Sequence, residues 1–139
     1  TAIIDPALAQ TLLDMLETVT NTGGTAGKAA IPYYRVAGKT GTSRKVGGGS
    51  YQQARYLSLF AGLAPVSAPR LACVIVINDP QGGVFYGGAV AAPVFGRVIG
   101  GALRLMDVPP DSPLLQTAAR SEAEEIEAAA EAVGEPTPP

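Results

Sequence analysis

Residues 38–45, Gly-Lys-Thr-Gly-Thr-Ser-Arg-Lys, place three cations (Lys39, Arg44, Lys45) and three hydroxyls (Thr40, Thr42, Ser43) in one short stretch. Two kinds of chemistry use such a stretch. A phosphate-binding loop needs a Gly five residues before the Gly-Lys pair and a helix directly after it. Position 33 is Tyr, and Gly47-Gly48-Gly49 and a strand-like segment follow, so that reading fails twice. The other reading is a strand. Lys39 then places a fixed cation where it favours an anionic substrate and developing negative charge. The hydroxyls of Thr40 and Thr42 can donate to a carboxylate, and Gly41, lacking a side chain, lets a peptide-like molecule lie against the strand. A Gly-rich strand with incidental polar residues has the same letters, so the surrounding elements must decide.

Composition removes several alternatives. The 139 residues contain no His and a single Cys, Cys73. That excludes Ser-His and Cys-His catalysis, His metal sites, an internal disulfide and a Cys-cluster zinc site within this chain. An apolar share of 47% is too high for a disordered protein. Ten bases face twelve acids, but six acids (Glu122, Glu124, Glu125, Glu127, Glu131, Glu135) lie in residues 121–139, which hold no base. Residues 1–120 therefore hold ten bases against six acids, a balance of +4. That suits an anionic substrate; nucleic-acid binding wants a clustered basic stripe, and these bases are scattered along the sequence. The chain begins Thr1-Ala2-Ile3 with no initiator Met and no targeting segment, which fits a processed chain or a piece of a longer one.

The elements that must position the stretch follow from spacing. Asp5 as N-cap, Pro6 at the first position and Leu8, Leu12, Met15, Leu16 and Val19 at helical spacing predict a helix that ends at Asn21-Thr22-Gly23-Gly24. Its Asp14 and Glu17 are expected to face solvent. Strand character starts at Tyr33 and runs to Ser43. A second strand spans Tyr56 to Ala64, with Leu57, Leu59, Ala61 and Leu63 alternating against Tyr56, Ser58 and Phe60. The apolar run Leu71–Ile77 predicts a strand buried on both faces, with Cys73 a buried, inert thiol. Short connections make the three strands an antiparallel meander, because a parallel crossover takes a dozen residues or more. Ala89 to Met106 reads as one long helix. Its 18 residues approach a membrane span in length, but Pro93, Arg97 and Arg104 argue against insertion. Gly96 and Gly100, four apart, predict a close approach of this helix to the sheet. Residues 1–111 form the folded unit, and residues 112–139 read as an acidic Ala/Pro-rich tail, a solvated helix or disordered extension.

Within this frame the chain resembles the C-terminal part of the transpeptidase domain of class B penicillin-binding proteins, the division-specific septal members in particular. The resemblance covers about Ile3 to Asp111. It rests on Gly23-Gly24-Thr25-Ala26, on Tyr34-Arg35-Val36-Ala37-Gly38-Lys39-Thr40-Gly41-Thr42 and on Phe60-Ala61-Gly62-Leu63-Ala64-Pro65. Ile77-Asn78-Asp79-Pro80, Tyr86-Gly87-Gly88 and Ala92-Pro93-Val94-Phe95 complete it, in order. It implies an α+β fold, an antiparallel sheet flanked by helices and shared with serine β-lactamases, of which this chain holds only the C-terminal portion. By the same resemblance Lys39, Thr40 and Gly41 form the family's third motif. The backbone N–H of Thr42 serves as the second oxyanion-hole donor, Arg44 approaches carboxylates of substrate or inhibitor, and Phe85 with Tyr86 walls the pocket.

The resemblance implies D,D-transpeptidation of peptidoglycan stem peptides, inhibition by β-lactams, no metal or organic cofactor, and no nucleic-acid partner. It also implies a parent protein in the bacterial inner membrane with its catalytic domain facing the periplasm, working with other cell-division proteins. Two of the family's motifs are missing. None of Ser43, Ser50, Ser58, Ser67, Ser112 and Ser121 has Lys three residues on, and Val19 and Val76 stand two before the two Asn residues where Ser-x-Asn needs Ser. Thr25 and Thr42 precede Lys28 and Lys45 at the first motif's spacing by coincidence. The chain is thus expected to supply one wall of a site whose nucleophilic Ser and general base lie in the missing N-terminal part of the same protein. A serine β-lactamase or carboxypeptidase relative, passing the acyl group to water, and a non-catalytic interaction module are the competing classes.

Overall fold

The computed structural model describes residues 3–47 and 50–112. Helix α1 (Pro6–Glu17) starts as its sequence dictates: Asp5 Oδ1 accepts the N–H groups of Ala7 and Leu8 at 2.8 and 3.3 Å, and Pro6 takes the first turn. Such a cap is worth about 1 kcal/mol. Short 3-10 turns follow at Thr18–Thr20 and Gly27–Ala29. Strands β1 (Ala37–Gly47), β2 (Ser50–Ala64) and β3 (Leu71–Asn78) form the expected antiparallel meander in the order β1-β2-β3, with β1 at an edge. The first strand begins at Ala37 rather than Tyr33, because Ile31 to Tyr34 closes a turn with an isolated bridge and Tyr33 has φ 73°. Helices α2 (Gly87–Val90) and α3 (Ala92–Leu105) complete the unit.

Register sorts the side chains, because directly opposed residues of antiparallel strands share a face. Thr40 opposes Phe60, which opposes Ile75; on the other face Lys39 opposes Ala61, which opposes Val74. The Phe60 face is the covered one. Phe60 and Phe95 of α3 are fully buried and meet edge to face, ring centroids 4.9 Å apart. Glycine at 62 is required there, since a Cβ would lie 2.8 and 2.9 Å from the two rings.

Alternation left open which face of β2 is covered, and several other expectations change. The leucine face of β2 is the half-open one, and Ser58 and Phe60, on the face with more polar letters, are fully buried, because α3 covers that side. The Leu71–Ile77 strand is likewise covered on one face alone, and there half-buried: Val74 and Val76 on the other face are 62% and 52% exposed. Cys73 is half-buried against the core rather than enclosed. The single long helix is two, parted at Ala91, since Pro93 has no N–H to give the carbonyl of Ala89 and its ring crowds that turn. Gly96 and Gly100 do bring α3 close to a neighbour, but the neighbours are Ala29 O and Ile31 Cγ2 rather than the sheet. No helix among the described residues is long and apolar enough to cross a membrane. The reading of the acidic tail from residue 113 onward lies outside the described residues.

Two polar ties fix the ends of the layer. Glu17 does not simply face solvent. It pairs side-on with the Arg35 guanidinium at 2.7 and 2.5 Å, and this holds the arginine pKa above its ordinary value, against a smaller opposing effect of burial. The buried Asp111 carboxylate accepts the N–H groups of Arg35 and Ser67 at 2.7 and 3.1 Å, and Tyr34 donates its hydroxyl to Val108 O at 2.6 Å.

Candidate active-site wall

The edge position of β1 sets out the candidate residues on two faces. Thr40, Thr42 and Arg44 alternate onto the face shared with Tyr56, Ser58 and Phe60; Lys39 and Gly41 lie on the other. Lys39 is exposed and turns back along its own strand, its Nζ donating to Thr40 O at 2.9 Å. It borders a groove of about 280 Å³ with Met15 and Leu16 of α1 and with Gly24 and Thr25. Thr25 joins the two faces, because its Oγ1 also lies 3.3 Å from Thr40 Oγ1. Gly41 leaves room for the Leu59 side chain: a Cβ there would sit 2.5 Å from Leu59 Cδ1, so that side chain would have to shift.

A second segment roofs the threonine face. The Gly87 N–H donates to Thr42 Oγ1 at 3.1 Å. A Cβ at Gly87 would lie 2.3 Å from Leu59 O and 2.5 Å from Gly41 O, and one at Gly88 1.9 Å from Thr25 O. Two adjacent glycines therefore let the start of α2 lie against β1 and the Thr25 loop. Just before them, Phe85 stacks on Tyr56 with centroids 3.9 Å apart and planes within 6°. Tyr86 is 4.6 Å from Phe85 and 64% exposed, and the Arg44 guanidinium stands over the outer Tyr56 ring at 5.9 Å. The fully buried Ser58 hydroxyl donates to Phe85 O and pins this arm to β2. Beside the stack a cavity of about 300 Å³ opens between Tyr56, Phe85 and the loop Pro80–Gly83.

The structure thus brings Thr40, Thr42, Arg44, Phe85 and Tyr86 to one side of the edge strand, with Gly41 beneath and Lys39 on the opposite face. Thr25, Tyr56 and Gly87 join them and were not singled out from the sequence. The Gly87-Gly88 pair was a signal for close backbone contact, and Thr25 lay in a segment that carried the family resemblance; Tyr56 had no signal, because it reaches the site by long-range packing. A hydroxyl that accepts one hydrogen bond keeps its own proton to give. Thr42 is in that state, so this surface offers hydroxyl protons, a guanidinium and aromatic faces. It suits a planar anionic group on a peptide-sized molecule.

Comparison with known proteins gives the family. Residues 2–100 match the penicillin-binding protein transpeptidase domain. Peptidoglycan D,D-transpeptidase FtsI of Escherichia coli K12 is 49% identical over 110 residues, 79% of this chain and 19% of that protein. The probable peptidoglycan D,D-transpeptidase PbpC of Pseudomonas aeruginosa is 40% identical over 109 residues, 78% of this chain and 19% of that protein. Among solved structures, the apo transpeptidase domain of Burkholderia pseudomallei penicillin-binding protein 3 superposes with a TM-score of 0.73 at 38% identity. It covers 81% of this chain and 34% of that one. The chain spans about a fifth of the length of the curated relatives it matches. Its three-stranded antiparallel sheet with helices is part of the fold those structures share, and the chain belongs to the penicillin-binding-protein transpeptidase family.

Proposed function

We propose that this chain is one wall of the active site of a peptidoglycan D,D-transpeptidase that acts in septal cell-wall synthesis and is acylated by β-lactams. The observation that carries the reading is the pair Thr42–Gly87. The roof segment holds Thr42 Oγ1 as an acceptor, so its hydroxyl proton is left to be donated to an incoming group, with Thr40 beside it. The 49% identity to a D,D-transpeptidase supports the same reading.

In this reaction the hydroxyl of a Ser outside residues 1–139 attacks the penultimate D-Ala carbonyl of a stem peptide. The terminal D-Ala leaves with a proton, and the amine of a neighbouring stem peptide displaces the Ser oxygen from the acyl-enzyme. Residues of this chain do the holding. Thr40 and Thr42 donate to the terminal carboxylate, and Arg44 adds positive charge on the same side. Gly41 admits the peptide backbone beside the strand, while Phe85 and Tyr86 bound its side chains. Lys39 supplies a cation next to the attacking oxygen, and the Thr42 N–H faces the oxyanion. On this reading the parent protein sits in the inner membrane with this domain in the periplasm, among other division proteins.

The test is covalent labelling of the intact protein with a fluorescent penicillin. Lys39→Ala removes an exposed side chain, so the melting temperature is expected to hold while acylation slows on the order of 10²–10³-fold. An unchanged rate would remove Lys39 from the mechanism. The label is expected on a Ser outside residues 1–139; a label on Ser43 would overturn the division of roles.

A further inference from the structure

Three bases that are far apart in the sequence gather around one concavity on the outside of the fold. Lys28, in the turn Gly27–Ala29, and Arg97 and Arg104 of α3 are exposed and line a groove of about 600 Å³. Ile31, Pro32, Pro93 and α3 at Gly96 and Gly100 line it as well. Arg104 lies back along its helix, both terminal nitrogens 3.9 Å from the position a Cβ would take at Gly100, so its charge borders the groove. No acidic residue lines the groove, and none of the three cations is ion-paired among the described residues, unlike Arg35 and Arg55. Three like charges around one concavity repel each other and focus a positive potential there, which an anionic occupant relieves.

The lining selects the occupant. Arg97 and Arg104 stand two helical turns apart on one face of α3, with attachment points about 10 Å apart. Charges spaced in this way match anionic groups strung along a chain better than one compact anion. The groove follows α3 from Pro93 to Arg104, roughly 16 Å, a length that about five residues of extended peptide span. Pro32 and Pro93 have no N–H to hold phosphate oxygens, while with Ile31 they offer apolar surface to the methylenes of acidic side chains. A concave channel also admits a peptide more readily than the flat face of a bilayer. Arginine clusters hold acidic peptide motifs in just this manner, each guanidinium able to give two N–H groups to one carboxylate.

We propose that the Lys28–Arg97–Arg104 groove is a docking site for an extended acidic segment of a partner protein, one that carries two or more carboxylates within about five residues. Exposed ion pairs are individually weak, so the contact depends on several carboxylates binding at once. It is therefore labile to salt, since the screening length falls to about 8 Å at physiological strength.

Fluorescence anisotropy on the intact protein tests it, with a dye-labelled hexaglutamate peptide as the probe. The expected result at low salt is saturable binding that weakens about fivefold in R97Q/R104Q. It should also weaken severalfold at high salt and stay near wild type in R70Q, which removes an exposed base that does not line the groove. K28Q stands in, with a smaller loss, if the double arginine variant has a lowered melting temperature. With the probe bound, a carbodiimide should join a glutamate carboxyl to the Lys28 amine as an amide while the reagent takes up the water. Absence of binding, or equal weakening in R70Q, would overturn the proposal. So would a Lys28 amine that an acylating reagent cannot reach in the intact protein, because the groove would then be covered by the rest of the domain. Retention of the protein on phosphatidylglycerol vesicles through the same three residues, with no binding of hexaglutamate, would overturn it in favour of a lipid surface.

Discussion

Gly87 and Thr42, 45 residues apart, are joined by a backbone-to-hydroxyl hydrogen bond of 3.1 Å, and Gly87 has no room for even a methyl group. The atoms in the way are the carbonyl oxygens of Leu59 and Gly41, which belong to the sheet and cannot swing aside. This contact fixes the distance between the strand that offers Thr40 and Thr42 and the arm that bears Phe85 and Tyr86.

Gly87→Ala should therefore lift the arm from β1. Overpacking against backbone typically costs about 1–3 kcal/mol, so the melting temperature of the intact protein is expected to drop by several degrees and penicillin labelling to slow at least tenfold. Thr42→Ser keeps the acceptor and should keep both properties near wild type. Normal labelling in Gly87→Ala would show that the roof is not needed for acylation.

Ser58→Ala tests the other anchor of the arm. The Ser58 hydroxyl is fully buried and donates to Phe85 O, so its loss leaves that carbonyl without its partner. The expected loss of stability is about 1–3 kcal/mol, read by thermal unfolding. Labelling should need a higher penicillin concentration, because Phe85 and the Tyr56 stack lose their fixed position. A variant as stable as wild type would mean that water replaces the bond.

Local rules carried part of this structure. Asp5-Pro6 announced α1, and short connections announced the meander, because capping and turn chemistry act within a few residues. Lys39, Thr40, Gly41 and Thr42 were legible as a motif for the same reason. Alternation in β2 defined two faces but not which one is covered, and the choice fell to Phe60 because Phe95, 35 positions on, packs against it. Thr25 and Tyr56 were missed on the same ground. Thr25 meets Thr40 across 15 residues and Tyr56 stacks on Phe85 across 29, contacts that no local spacing encodes. Gly96 and Gly100 signalled close packing correctly, yet the partner was a turn rather than the sheet.

The Glu17–Arg35 pair, 21% and 30% exposed at its side chains, should stabilise more than a surface pair. Glu17→Gln is expected to cost about 1–2 kcal/mol, between the values for exposed pairs and for hydrogen bonds to charged groups. Glu17 raises the Arg35 pKa above its ordinary value. A cation raised in the folded state adds stability below its unfolded pKa and loses it only as pH climbs through the folded one. Both lie above the working range, so the difference in melting temperature between wild type and Arg35→Gln should stay constant from about pH 6 to 10. A difference that shrinks within that window would assign the effect to another group.

The face of the sheet opposite Phe60 gives the last test. Val74 and Val76 on β3 stand opposite Ala61 and Leu59 on β2, and with the exposed Leu12 and Met15 of α1 they leave much apolar surface bare within this chain. Apolar patches of this kind mark contact surfaces or association. Residues 1–139 made alone should self-associate, and Val74→Lys should raise the monomer fraction in sedimentation without lowering the melting temperature, since the lysine stays in water. In the intact protein the same substitution should destabilise by about 1–3 kcal/mol, because further residues of the domain would then cover Val74 and the charge would be buried without a partner. Equal neutrality in both settings would show that this face is solvated in the whole protein too. The half-open leucine face would then be an exposed surface of the whole protein rather than the inner side of its sheet.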